Sequence, residues 1–178
     1  MRSLAGFTGA GYDKGRPVHV QAAWVAVQHL VFGRWWFPPR LRPRVLRAFG
    51  ARVGEGVLIR TGVKVHWPWK LEVGDHTWIG EGAWLLNLER LTIGSDVCVS
   101  QEALLCTGSH DRRSPTFEFD NAPITLLDGS WVAARAVVLR GVTVGREAVV
   151  AAGVTCYRDV PDGAVLTDLG LHPADERP

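Results

Sequence analysis

From Val53 onward the apolar positions of this chain recur with a period that is neither the 2 of a half-buried strand nor the 3.6 of a helix. Aliphatic residues stand six apart at Leu126, Val132, Val138, Val144 and Val150, and Cys156 continues the run. Ser130, Ala136, Val142, Ala148, Val154 and Val160 each fall four residues later, so two positions in six point inward. The same lattice runs earlier through Val53, Ile59, Val65 and Leu71. It restarts two residues later as Val73, Ile79, Leu85 and Leu91, and again as Ile93, Val99 and Leu105. Each restart inserts two residues at a corner. A period of six means a short strand and a turn per repeat, and three repeats close one coil of a triangular β-solenoid. The spacings Val73 to Leu91 and Leu126 to Val144 are both 18 residues, one coil each. Glycines follow the inward aliphatic at Gly54, Gly74, Gly80, Gly94 and Gly145, where a tight corner favours a residue without a Cβ. No coil can bury its inner face alone, so about five stacked coils must form together.

The lattice breaks once. Between Leu105 and Ile124 it gives way to CTGSHDRRSPTFEFDNAP, rich in turn residues, charges and aromatics. So long an interruption of a compact repeat reads as a functional loop thrown out from one corner, over residues 106–123. Ahead of the repeat, residues 1–52 read as a separate, partly helical cap. Val18 to Phe32 fits a helical template with Gly33 as its stop, and RWWFPPRLRPRVLRAFG follows, broken by Pro38, Pro39 and Pro43. The repeat domain spans 53–165, and the polar tail 166–178 is expected to fray.

Composition narrows the class. At 178 residues, 47% hydrophobic and 21% charged, the chain suits one globular domain and excludes disordered, collagen-like and coiled-coil classes. Cys98, Cys106 and Cys156 lack CxxC spacing, which argues against a disulfide framework or zinc knuckle and for a reducing, cytoplasmic setting. The start has no apolar core of signal-peptide type. The net charge of +2 conceals an asymmetry. Lys14 to Gly54 carries eight basic residues and no acid, leaving 12 basic and 18 acidic residues for the rest.

The lattice, the loop motif Leu105-Cys-Thr-Gly-Ser-His110-Asp, the segment Asp128-Gly-Ser-Trp131-Val-Ala-Ala134 and the run Thr155-Cys-Tyr157-Arg158-Asp-Val-Pro161 together resemble the hexapeptide-repeat acyltransferases. The chain is most similar to the saccharide O-acetyltransferases of colanic acid and other exopolysaccharide pathways, over roughly Leu46 to Val165. The resemblance implies an all-β, left-handed parallel β-helix, a homotrimer, and acetyl-CoA held in the groove between neighbouring prisms. It also implies CoA contacts at Ala134, Ala152, Tyr157 and Arg158, with Arg158 in place of a usual lysine, and an acceptor contact near Asn87. After Pro161 the chain departs from the family: the turn with a proline and a basic residue is replaced by Leu166-Thr-Asp-Leu-Gly170-Leu-His-Pro.

Chemistry points to the same residues. Acyl transfer from a thioester to an alcohol needs a group that accepts the hydroxyl proton, and an imidazole, ordinarily of pKa about 6.5, suits that at neutral pH. His110 lies in the loop, where it can face a groove. Asp111 beside it either orients the imidazole and acceptor or simply forms a turn. Asn87 breaks the lattice, either to meet a sugar hydroxyl or to complete a corner. Ala133 and Ala134 stand one coil from Ala151, Ala152 and Gly153, a small-residue edge along which a pantetheine arm fits. Arg158 offers a cation for CoA phosphates, and Trp131 covers the groove or caps a corner.

The reading is therefore transfer of acetyl from acetyl-CoA to a sugar hydroxyl of a saccharide or lipid-linked saccharide, without a metal, with His110 as base. N-acetylation of an amino sugar and a non-catalytic binding prism are the alternatives. A zinc centre, as in the carbonic anhydrase built on such a prism, would need three ligands from His66, His76 and His110, and no second histidine follows His110 in the loop. The basic, Trp-rich stretch 14–52 suits an anionic membrane at the inner face, or caps the open end of the solenoid. The two are compatible. No nucleic-acid module is recognisable.

Overall fold

The computed structural model describes residues 3–173 of the chain. Three parallel sheets form the faces of a prism. Face A stacks Arg52–Val53, Leu71–Val73, Leu91–Ile93, Ile124–Leu126 and Thr143–Val144. Face B stacks Leu58–Ile59, Trp78–Ile79, Cys98–Val99, Trp131–Val132, Val149–Val150 and Val165–Thr167, and face C stacks Lys64–Val65, Trp84–Leu86, Leu104–Cys106, Val137–Leu139 and Thr155–Cys156. Five coils are complete. A sixth opens with the bridge from Val144 to Val160 and the strand Val165–Thr167.

The six-residue lattice is the inner lining. Ile59, Ile79, Val99, Val132 and Val150 form one fully buried column, and Leu85, Leu105 and Val138 another. Each such side chain contributes about 1.5–3 kcal/mol by leaving water. Register explains the restarts. Val53 pairs with Val73 and Leu71 with Leu91, twenty residues on, whereas Leu126 pairs with Val144, eighteen on, and Val150 with Leu166, sixteen on. The extra pair in the first coil sits between faces C and A, where Pro68–Lys70 winds a 3-10 turn and Trp67 stacks on Trp69 at 4.8 Å.

The corner glycines follow a different rule from the one their positions imply. A Cβ on Gly74 would stand 2.6 Å from Gly94 C and Ser95 N, and one on Gly80 would stand 2.6 Å from Gln101 N. The backbone of the next coil excludes them. Left-handed torsion falls two residues later, where Gly56, Gly82 and Gly153 share the role with His76, Asp96, Glu102, Arg135 and Glu147.

The front segment closes the open end. Helix α1 (Val18–Val27) continues into a π turn, Gln28–Phe32, and α2 follows at Arg42–Ala48. Trp24, Phe32 and Leu46 are fully buried and extend the core past the first coil. Trp24 Nε1 donates to Val65 O at 2.9 Å, and Gln28 Oε1 accepts from Val65 N at 2.7 Å. Arg42 is buried among them. Its guanidinium donates to Phe32 O at 3.0 Å, Ile59 O at 3.0 Å and Arg34 O at 2.8 Å. At the other end the expected fraying from Leu166 gives way to a hairpin. Val165–Thr167 pairs antiparallel with Gly170–His172, and Leu166 is buried. The remainder of that expected tail, 174–178, lies outside the described residues.

Candidate active site

The interruption of the lattice is an ordered finger rather than a bare loop. It leaves face C after Cys106 and re-enters face A at Ile124. Its base is pinned by Thr107, whose carbonyl accepts from Ala122 N at 3.0 Å, and by Asn121 Oδ1, which accepts from Ser109 N at 3.0 Å. Asp120 N donates to Ser109 O and Asp111 N to Glu118 O, so His110 and Phe119 pair as in an antiparallel ribbon. The coil braces this ribbon through the ion pair of Arg140 with Asp120. The alternation Phe117-Glu-Phe119 is the sequence signal of that pairing, because residues two apart in a strand share a face.

His110 is held on three sides by aromatics. Phe117 stacks on the imidazole at 4.3 Å and 4°, Phe119 at 5.1 Å and 25°, and Phe7 meets it edge-on at 5.6 Å. His110 Nδ1 lies 2.7 Å from Phe117 O. A carbonyl oxygen only accepts, so Nδ1 carries a proton, and in the neutral imidazole the lone pair falls on Nε2. The arrangement makes Nε2 a proton acceptor of fixed orientation. Phe117 holds a left-handed backbone, φ 58°, to present that carbonyl.

A strap from the start of the chain, invisible in the sequence, ties the finger down. The Glu118 carboxylate accepts from Thr8 N at 3.0 Å, Thr8 Oγ1 at 3.1 Å and Gly9 N at 3.0 Å. The backbone hydrogen bond from Thr8, first among these, holds its carboxyl below the usual range, so the strap stays latched wherever a carboxylate is ordinarily ionised. Tyr12 packs on Phe119 at 4.9 Å, and its hydroxyl accepts from Trp67 Nε1 at 2.6 Å. The finger is thereby joined to the first coil.

The other sequence-selected residues separate. Asp111 Oδ1 accepts from Arg113 N at 2.8 Å, forming a turn rather than orienting the imidazole. Asn87 is fully buried: its Oδ1 accepts from His66 N and Trp67 N, and its Nδ2 donates to Trp67 O. It completes a corner, and the acceptor contact expected of it is replaced by that role. Ala134 and Ala152 stand on the corner between faces B and C, one above the other, with Gly153 N donating to Ala134 O at 2.9 Å. Tyr157 and Arg158 stand beyond the far edge of face C, the guanidinium 6.0 Å above the phenol ring. Trp131 points outward from face B, and its Nε1 donates to Ser100 Oγ at 2.8 Å. Two clefts share Tyr157. One of about 290 Å³ runs from Gly153 and Thr155 past Arg158 to the hairpin at Leu166–Gly170, and one of about 270 Å³ lies against Gly108, Ser109 and Arg140 at the finger base. The second therefore lies at the foot of the imidazole-bearing finger. Among the described residues no group of three His, Cys, Asp or Glu side chains converges on a metal position. His66 is turned against Trp67, its pKa drawn down by burial and then by Lys70 and Lys14.

Comparison with known proteins identifies the family. The chain is 39% identical over 169 residues to the colanic acid biosynthesis acetyltransferase WcaF of Escherichia coli, a match covering 93% of this chain and 91% of that protein. The chain belongs to the hexapeptide-repeat acetyltransferases. This acetyltransferase also shares its left-handed β-helix with solved structures. The hexapeptide-repeat acetyltransferase of Vibrio cholerae complexed with acetyl coenzyme A superposes with a TM-score of 0.80 at 22% identity, covering 95% of this chain and 92% of that one. A galactoside acetyltransferase in complex with coenzyme A superposes at 0.75 with 19% identity, covering 89% and 82%. No family-level profile matches the acetyltransferase.

Proposed function

We propose that the protein moves acetyl from acetyl-CoA to a sugar hydroxyl of a saccharide or glycolipid precursor, with His110 as the general base. The observation that carries this is the bond from His110 Nδ1 to Phe117 O, which leaves Nε2 as the proton acceptor. The hydroxyl proton passes to Nε2 as the oxygen attacks the acetyl carbonyl carbon. The carbon–sulfur bond then breaks, and the proton returns to the departing CoA sulfur. Likeness to acetyl-CoA- and CoA-bound structures supports the donor. In this chain Arg158 suits its phosphates, and the edge Ala134, Ala152 and Gly153 admits its pantetheine arm. The hairpin Val165–His172 stands where the family carries its basic turn, so Arg158 carries more of the phosphate contact alone.

The proposal includes a homotrimer. Outward side chains of face A are polar, namely Arg52, Glu72, Thr92, Thr125 and Thr143. Those of face B are Leu58, Trp78, Cys98, Trp131, Val149 and Val165, with Trp78 and Trp131 exposed. An apolar row of this length suits contact with further copies of the chain. Trp131 belongs to that row. The relative's name, a colanic acid biosynthesis acetyltransferase, supports a saccharide acceptor.

The test is CoA release measured across a panel of neutral and amino sugars. Release with hydroxyl acceptors is expected, and release confined to amino sugars would move the reading to N-acetylation. A second expectation concerns the strap. Glu118→Gln loosens the acceptors of Thr8 and Gly9 and lets the imidazole drift. A misplacement of about 1 Å costs up to about 10²-fold in rate, and a partial loss of about tenfold in kcat, with KM for acetyl-CoA unchanged, is expected in steady-state assays.

A further inference from the structure

We propose that the outward side of α1, with the turn after it, binds an anionic membrane surface. The structure divides the basic front segment into two sets of residues. Trp24, Phe32, Arg42 and Leu46 turn inward and close the prism. The capping requirement of a solenoid is met by these alone. Val18, Ala22, Val25, Leu30, Trp35 and Trp36 turn outward, with Leu30 65%, Trp35 85% and Trp36 54% exposed. Their presence on the surface has no role in the cap.

The helix itself is anomalous for a water-facing element. From Val18 to Phe32 it carries no charged residue, although its outer half is exposed and its spacing puts Val18, Ala22 and Val25 on one stripe. A solvated helix places charges there. Two adjacent exposed tryptophans follow the helix and its turn, and indole combines an apolar body with a donor that suits the boundary between headgroups and acyl chains. The same segment exposes Lys14, Arg16, Arg34, Arg40 and Arg44, with no acid anywhere from Lys14 to Gly54. An exposed apolar set carried on a segment whose charged residues are all basic complements anionic lipid, each basic residue near the surface adding about 1 kcal/mol. The row on face B already supplies an apolar surface for copies of the chain. No helix among the described residues is long and apolar enough to cross a membrane, so the contact is interfacial.

The geometry links the patch to the chemistry. Tyr12, packed on Phe119 of the finger, is six residues from Val18, and six residues span at most about 20 Å. The finger that carries His110 is therefore tethered close to the docked end, within reach of a sugar carried on a lipid. That last step rests on the proposed function; the lipid contact does not.

Sedimentation of the full-length protein with vesicles of phosphatidylcholine, with and without phosphatidylglycerol, tests the proposal. The protein should partition onto the anionic vesicles and be released as salt rises. The double variant Trp35→Ser, Trp36→Ser should reduce the partition coefficient about tenfold or more while leaving CoA release with a soluble sugar and the elution volume in gel filtration unchanged. Equal partition onto neutral and anionic vesicles, or no loss in the variant, overturns the proposal. So does a change in elution volume, which would make the patch an interface between copies. Lipid binding without sugar-dependent CoA release would keep the membrane surface and remove the acetyltransfer reading; the reverse result would do the opposite.

Discussion

His110→Ala is expected to lower kcat for acetyl transfer by about 10²–10⁴, the usual range for a positioned general base, at saturating donor and acceptor. The imidazole is the sole titrating side chain whose free nitrogen the finger orients by a defined bond, Nδ1 to Phe117 O at 2.7 Å. Its removal leaves the core intact, because His110 stands in the ribbon outside the prism, where its ring meets Phe7, Phe117 and Phe119 and the Phe117 carbonyl. The melting temperature should therefore stay near that of the native protein, and donor binding should persist. Asp111→Asn provides the contrast. Its carboxylate caps the backbone of Arg113, and an amide oxygen can accept the same bond, so the rate should change by less than about threefold. A loss below about tenfold in His110→Ala would remove the base from the mechanism. A loss of similar size in Asp111→Asn would show that the carboxylate reaches the imidazole after all.

What the sequence disclosed and what it concealed divide along contact range. The inner columns through Ile59, Leu105 and Val150 follow from a period of six, since each position is fixed by its place in a short strand. The eighteen-residue coil holds for Leu126 and Val144, but Val73, read as one coil from Leu91, pairs with Ile93 twenty residues on, because each restart adds two residues at a corner. The finger was visible as a gap in the lattice, and His110 as the histidine inside it. Two local readings were ambiguous in one dimension: Asn87 and Asp111 are both residues that bind backbone or substrate equally well, and the fold resolved both toward backbone. The strap was out of reach. Thr8 and Glu118 are 110 residues apart, and nothing in either neighbourhood marks the other. The corner glycines illustrate the same limit, since Gly74 is required by the backbone of Gly94 in the coil above and not by its own torsion. Trp131, read as covering the groove or capping a corner, shares an outward row with Trp78, a grouping that only the stacking of coils produces.

Arg42→Ala is expected to destabilise the fold by about 3 kcal/mol, the range for removing a buried hydrogen-bonded charge whose partners stay behind. Nε, Nη1 and Nη2 each meet a different carbonyl, Phe32 O, Ile59 O and Arg34 O, so the side chain joins the end of the π turn, the segment after it and the first coil at one point. Burial, then the charge of Arg60, pulls the guanidinium below its ordinary pKa range, but it remains protonated, and no carboxylate shares the site. Without it three carbonyls face an apolar cap. For a domain of this size the melting temperature should fall by about 6–12 °C, read by circular dichroism at fixed protein concentration. Arg42→Met separates packing from hydrogen bonding, because it refills the volume of the stem without donors. A melting temperature close to that of Arg42→Ala supports the carbonyl account, whereas recovery of most of the loss would assign the effect to packing. The same three bonds fix the turn that ends in Trp35 and Trp36, so Arg42→Met should also weaken binding to anionic vesicles at temperatures where the prism remains folded, although no lipid contacts Arg42 itself.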